Sequence, residues 1–184
     1  MESLENHLLI AMPTLGDSYF NKTVTYICEH NDDGAMGLII NLPVNVTLNE
    51  LLAQIDIERD ELPELGQQVL TGGPVSPDRG FVLHSPQAGW RSSLALSDEF
   101  MITTSKDILM ALGTDAAPEH YIVTLGYAGW GPGQLEKEIQ ENSWLTITAD
   151  SDILFNTPVE QRWIKATEKL GFDISHLSTD VGHA

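Results

Sequence analysis

Two strand-like runs with only a short turn between them set the first constraint on this chain. Thr23 to Glu29 places Val24, Tyr26 and Cys28 on one face and Thr23, Thr25 and Ile27 on the other, the two-residue alternation of a strand. Ala35 to Asn41 is a second apolar run, and Asn31-Asp32-Asp33-Gly34 between them is made of residues that accept turn dihedrals. A parallel crossover needs a dozen or more residues, so the two runs predict an antiparallel hairpin.

The same economy recurs along the sequence. Strand signals lie at His7 to Met12, at Val69-Leu70 and Phe81-Val82-Leu83 around Gly72-Gly73-Pro74, at Phe100 to Thr103, at the strongly apolar Tyr121 to Leu125, and at Trp144 to Ala149. Helical signals are few and short. Thr47-Leu48-Asn49-Glu50 is a capping-box pattern, followed by Leu48, Leu51, Leu52 and Ile55 at helical spacing. Ser105 is placed to cap a helix that Gly113 stops, and Gln134 to Glu141 carries Leu135 and Ile139 inward. The last helix is predicted with Thr157 as its N-cap, Pro158 in its first position, Glu160 as the box partner, an apolar stripe of Val159, Trp163, Ala166 and Leu170, and Gly171 as its stop. Asp56 to Gly66 reads as an acidic surface loop and Asp173 to Ala184 as a loosely held polar tail. Strands in pairs rather than regular βαβ units predict an α+β fold over a doubly wound parallel sheet.

At about 150 residues per domain, the 184 residues predict one domain spanning 1–184. A chain of this size buries roughly 70% of its unfolded surface, and 42% hydrophobic residues are enough to fill a core. One cysteine, Cys28, excludes an internal disulfide and suits a reducing compartment. Met1 to Glu5 is acidic where a secretory leader needs positive charge, and no apolar run approaches the roughly 20 residues of a membrane span. The expectation is a cytoplasmic protein with no membrane contact. The net charge of −18, from 27 acidic and 9 basic residues, repels phosphate backbones, so nucleic acid is a poor partner. Arg162, Lys165 and Lys169 are the one basic cluster. Their spacing of three and four reads as a solvated helix face.

The run Gly126-Tyr127-Ala128-Gly129-Trp130-Gly131-Pro132-Gly133-Gln134-Leu135-Glu136, continuing to Asn142 and Trp144, resembles the signature of the YqgE/AlgH family. Gly37 to Pro43, Gly72-Gly73-Pro74-Val75, Ile153-Leu154-Phe155 and the Trp163 helix are similar to further blocks of that family in the same order. The resemblance covers nearly the whole chain. It implies an α+β fold in which a bifurcated mixed β-sheet curls into a pseudo-barrel with short helices packed outside. It brings no catalytic residues with it, and some members are labelled transcriptional regulators.

Gly126 to Gly133 is the leading candidate site. It lies between a predicted strand and a predicted helix, where backbone N–H groups can hold an anion. It matches neither G-x-x-x-x-G-K-[ST] nor G-x-G-x-x-G, and it has no lysine for phosphate; Glu136 and Glu138 follow instead. The other reading of the segment is a tight structural turn with Trp130 packed over it. Gly72-Gly73-Pro74-Val75, with Arg79 nearby, is a second tight turn, and the two would frame one pocket if adjacent.

Other constellations are thinner. Cys28 and His30 share a face by period two, which permits a nucleophile and base; a buried apolar cysteine is the alternative. His84, Ser85 and Asp78 are the residue types of a hydrolase triad without a G-x-S-x-G elbow. The six histidines show no zinc-site spacing, and Asn31 to Gly34 is too short for a calcium loop. No metal and no cofactor is expected. Trp90 and Trp130 fall in glycine-flanked loops, whereas Trp144 and Trp163 are expected in the core; an exposed Trp130 would favour an interaction surface.

The combined expectation is a non-enzymatic regulatory or protein-interaction protein. Its site would comprise Gly126, Gly129, Trp130, Gly131, Gly133, Gln134 and Glu136, joined by Gly72, Gly73 and Pro74, with an unidentified protein as partner. The alternative is a small anionic ligand, carboxylate or phosphate, or an unrecognised enzyme, at the same turn. Direct DNA binding ranks last on charge.

Overall fold

The computed structural model describes residues 2–12, 22–55 and 67–171. The predicted loop from Asp56 to Gly66 and the tail from Asp173 lie outside the described residues.

The hairpin forms as expected. Strands β2 (Val24–Asn31) and β3 (Gly34–Ile39) pair antiparallel, with Thr25 opposite Ile39 and Tyr26 opposite Leu38. The Asn31 side chain accepts from the Asp33 N–H at 2.8 Å, the local bond that makes Asn a turn former. One irregularity alters the alternation: the register shifts between Ile27 and Glu29, a bulge at Cys28. An extra residue in a strand reverses which side chains face which way. Cys28 therefore stays with Val24 and Tyr26, while His30 turns to the side of Ile27. The expectation that Cys28 and His30 share a face is thereby overturned.

Around this hairpin the sheet extends through β1 (His7–Ala11) to β10 (Trp144–Thr148) on one side. On the other it runs through β9 (Tyr121–Trp130), β6 (Val75–His84) and β8 (Met101–Thr103) to β7 (Ser93–Ala95). Strands β4 (Pro43–Thr47), which the sequence reading passed over, and β5 (Gln68–Thr71) form a separate arm. The arms meet at β9. Strand β6 pairs with β9 from Tyr121 to Tyr127, so the opposite edge of β9 serves two partners in succession. Strand β5 runs parallel to it at Thr124 and Leu125, and β3 runs antiparallel to it from Ala128 to Trp130. The result is a mixed sheet that forks, curled into a half-barrel.

Strand β9 also corrects the sequence reading, which ended it at Leu125 and made Gly126 to Gly133 a turn. The backbone stays extended through Trp130, with Gly126 at φ 78°. That left-handed residue, available cheaply only to glycine, reverses the alternation. Val123, Leu125, Ala128 and Trp130 then pack on one face and Ile122 and Tyr127 on the other.

Among the described residues five short helices cover the two faces: α1 (Leu48–Gln54), α2 (Lys106–Ala111), α3 (Gln134–Gln140), α4 (Ser151–Phe155) and α5 (Arg162–Lys169). Helices α1 and α2 bury Leu48, Leu52 and Ile108 against Val69, Val82 and Val123. Helix α3 buries Leu135 against Ile27, Trp130 and Trp144. On the opposite face α4 and α5 place Leu154, Trp163 and Ala166 over Tyr26, Leu83 and Phe100. The capping box of α1 forms as read, with both Thr47 and Glu50 bonding reciprocally. Ser105 takes the N-cap position of α2, but its hydroxyl donates to Asp107 and caps no backbone N–H.

The last helix starts later than expected. Thr157 donates to the Asp152 carbonyl and so closes α4. Val159–Gln161 is a 3₁₀ turn, and α5 begins at Arg162. Pro158, at ψ 145°, is extended and cannot be the first residue of a helix. The apolar stripe holds, and Gly171 follows at φ 86°.

Candidate functional site

The two glycine-rich segments meet at the fork. A Cβ on Gly72 would lie 2.3 Å from the Gly126 carbonyl oxygen, and one on Gly73 would lie 2.1 Å from the Tyr127 carbonyl carbon. Gly72 N–H donates to the Leu125 carbonyl at 2.8 Å and its own carbonyl accepts from Ile39 N–H at 2.8 Å. The segments are adjacent, as the pocket hypothesis required, but where they meet backbone packs directly against backbone. Pro74 is exposed, and Val75, which still pairs with Tyr127, turns its side chain to the surface at 38% exposure.

Beyond the fork, α3 is clamped to the sheet by one carboxylate. Glu138 Oε1 accepts from Trp130 Nε1 at 3.0 Å and from Trp144 Nε1 at 2.9 Å, while its Oε2 accepts from Gln134 Nε2 at 3.0 Å. Gln134 Oε1 in turn accepts from Gly131 N–H at 3.0 Å. Trp130 is 7% exposed and stands edge-on to Trp144 at 6.1 Å; it anchors the helix from within. His30 Nδ1 accepts from Leu4 N–H, and its Nε2 meets Glu136 Oε1 at 2.8 Å. That hydrogen bond is the main cause holding the Glu136 carboxyl below its ordinary pKa.

Gly129 and Gly131 differ from the fork glycines. Both are exposed, and neither has a left-handed φ. Among the described residues, a Cβ on Gly129 would meet Tyr127 Cε2 at 3.6 Å and Val75 Cγ2 at 4.0 Å, and one on Gly131 would meet Gln134 Oε1 at 3.9 Å. Among the described residues nothing demands glycine at either place. Gly133, exposed at φ 73°, supplies the turn into α3. Beside Gly129 the half-barrel opens in a mouth of about 550 Å³, walled by Met36, Phe81, Ile102 and Tyr127 with Leu94 at its rim. Leu94 is 60% exposed, and the Arg79 guanidinium lies 5.2 Å above the Phe81 ring.

The remaining candidates are dispersed. Cys28 is buried, and burial, with a smaller push from Glu29, drives its thiol up to about 12. His84 Nε2 contacts Thr103 Oγ1 at 2.7 Å and its Nδ1 faces the Ser85 carbonyl; burial lowers its pKa. Ser85 Oγ donates to the His120 carbonyl instead, and Asp78 is exposed on β6, so no triad assembles. Among the described residues no three His, Cys, Asp or Glu side chains group to hold a metal, and no helix is long and apolar enough to cross a membrane.

A second cleft, of about 580 Å³, lies where β5 and β9 face α4 and α5. Arg162 lines it. Read as part of a solvated face, Arg162 is instead 7% exposed, donating from Nε to the Thr157 carbonyl at 3.1 Å and from Nη1 to the Ile40 carbonyl. Burial lowers its pKa to about 10, so it remains charged at neutral pH. Lys165 and Lys169 do face solvent, paired with Asp152 and Asp150. The signal was present in the sequence: Arg162 is three residues after Val159 and four before Ala166, hence on the apolar stripe.

A family model described as AlgH-like matches residues 8–175. The chain belongs to the AlgH-like family. Among its relatives, a UPF0301 protein of Colwellia psychrerythraea is 65% identical and one of Pseudoalteromonas translucida 60% identical, each alignment covering 100% of both chains. The solution structure of the AlgH protein from Pseudomonas aeruginosa superposes with a TM-score of 0.80 at 43% identity over 97% of each chain. A Corynebacterium diphtheriae protein, at 18% identity, shares the fold with a TM-score of 0.70 over 92% of this chain and 88% of its own. The AlgH-like blocks met in the sequence are the fork, the α3 clamp and the α4–α5 pair.

Proposed function

We propose that this AlgH-like protein is a non-enzymatic regulatory protein of the cytoplasm that binds a protein partner through the Gly126–Glu136 segment and the adjoining mouth of the half-barrel. The observation that carries the reading is the pair Gly129 and Gly131. Gly129 lies in β9, where glycine costs about 0.5–1 kcal/mol relative to alanine, Gly131 follows the end of that strand, and among the described residues neither backbone nor neighbours require glycine at either. A flat surface beside an open apolar mouth lets a partner backbone approach closely and seat a side chain against Tyr127 and Phe81. Glu138 holds the segment rigid through both indoles, and preorganisation of this kind lowers the entropy lost on binding. The lone cysteine, buried as a thiol, suits the reducing cytoplasm.

An anion at the turn itself is less well supported. The Gly131 N–H is occupied by Gln134, and Glu136 and Glu138 stand beside it. The test compares affinity capture from native lysate by the wild type and by a Gly129→Arg protein of unchanged thermal midpoint, followed by titration of the purified partner. Loss of the same partner in both assays supports the reading. Retention of that partner, or turnover of any substrate abolished by one substitution, contradicts it.

A further inference from the structure

We propose that the cleft beside α5 is a binding site for a small organic anion with a single acidic head and an apolar body, the head held by Arg162. The site is separate from the half-barrel mouth, so the inference does not depend on the protein-partner reading.

Arg162 carries the argument. A guanidinium this buried is costly unless its charge is answered, and no carboxylate among the described residues pairs with it. Its two bonds go to backbone carbonyls, Thr157 and Ile40, which fix the planar group in place at the cleft wall; among the described residues the exposed Glu160 carboxylate acts on its charge only through space, without an ion pair. A guanidinium has five N–H donors in a rigid fork matched to carboxylate and phosphate oxygens. The rest of the lining says what accompanies the head. Leu70, Ile122, Leu154, Phe155 and Val159 supply apolar wall, enough for a short chain or ring. Glu119 and Glu160 also line the cleft and are exposed; they oppose a polyanion such as a nucleoside triphosphate while leaving one buried head tolerable. His120, stacked on Phe155 at 5.5 Å, and the exposed amide of Gln68 complete the entrance.

The experiment follows the Arg162 Nε–Hε and Ile122 amide resonances of the full chain by NMR during titration with octanoate, octyl phosphate and inorganic phosphate. Saturable movement of both resonances with octanoate or octyl phosphate is expected, and the tighter of the two identifies the head as carboxylate or phosphate. Inorganic phosphate, lacking the apolar body, is expected to bind at least tenfold more weakly, a difference of about 1.4 kcal/mol. Arg162→Lys, which keeps the charge but not the fork, should weaken binding. Gln68→Glu, at an exposed position that leaves the core untouched, should raise the octanoate Kd roughly tenfold by adding a like charge at the entrance. The proposal is overturned if neither amphiphile moves these resonances saturably, if Gln68→Glu leaves the affinity unchanged, or if the shifts map to the half-barrel mouth.

Discussion

Replacing Gly73 and Gly129 separately by alanine should move stability in opposite directions. At Gly73 the new Cβ would stand 2.1 Å from the Tyr127 carbonyl carbon, against about 3.4 Å for an ordinary contact, so the strands must part by about 1.3 Å. The obstructing atoms are backbone and cannot rotate away. Parting there strains the two 2.8 Å hydrogen bonds through Gly72 that join β5 to β9 and β3. Overpacking of about 1–3 kcal/mol plus roughly 1 kcal/mol for each weakened bond gives a loss of about 3–5 kcal/mol. At Gly129 the new methyl finds ordinary contacts at 3.6 and 4.0 Å, and alanine in a strand should add about 0.5–1 kcal/mol. Urea unfolding followed by tryptophan fluorescence measures both. In thermal terms the first should fall on the order of 10 °C and the second rise by about 2 °C, for a domain of this size. A Gly73→Ala protein within about 1 kcal/mol of wild type, or a Gly129→Ala protein destabilised by as much, would refute the division of these glycines into packed and unpacked.

Glu138→Ala orphans two indole N–H groups and should cost about 2–4 kcal/mol in the same assay, with Glu138→Gln losing less because one acceptor remains. The Glu136 carboxyl is held low chiefly by its hydrogen bond from His30, so its contribution is present above the unfolded glutamate pKa and is lost as pH falls through the lowered folded value. The stability difference between wild type and Glu136→Gln should therefore be full above about pH 4.3 and shrink as the pH falls below it. Cys28, its thiol raised to about 12, should resist a thiol reagent at neutral pH in the folded protein and react at once in urea; rapid stoichiometric labelling of the folded form would show that it is accessible.

Local chemistry was legible in the sequence where a pattern has one structural meaning. The Asn31–Gly34 turn, the Thr47–Glu50 box and the Trp163 stripe are of this kind, because alternation, capping and helical spacing are read from neighbours alone. Positions where one residue changes the meaning of those after it were harder. The bulge at Cys28 and the left-handed Gly126 each reverse an alternation, and neither is visible until a partner strand sets the register. For that reason the sequence alone groups Cys28 with His30 and ends β9 in a turn. Adjacency of the two glycine segments is a consequence of the fork and has no local signal. Trp130 read as a loop tryptophan because four glycines surround it, yet its indole is an internal donor to Glu138. Arg162 shows the opposite case: its place on the apolar stripe was readable, and its basic neighbours Lys165 and Lys169 masked it.

The partner-binding reading is tested most directly by hydrogen–deuterium exchange of the full chain, alone and with its purified partner. Protection is expected at residues 126–136 and 75–81, which border the half-barrel mouth, and little change at α5. Protection confined to other surfaces, with 126–136 exchanging as in the free protein, would contradict it.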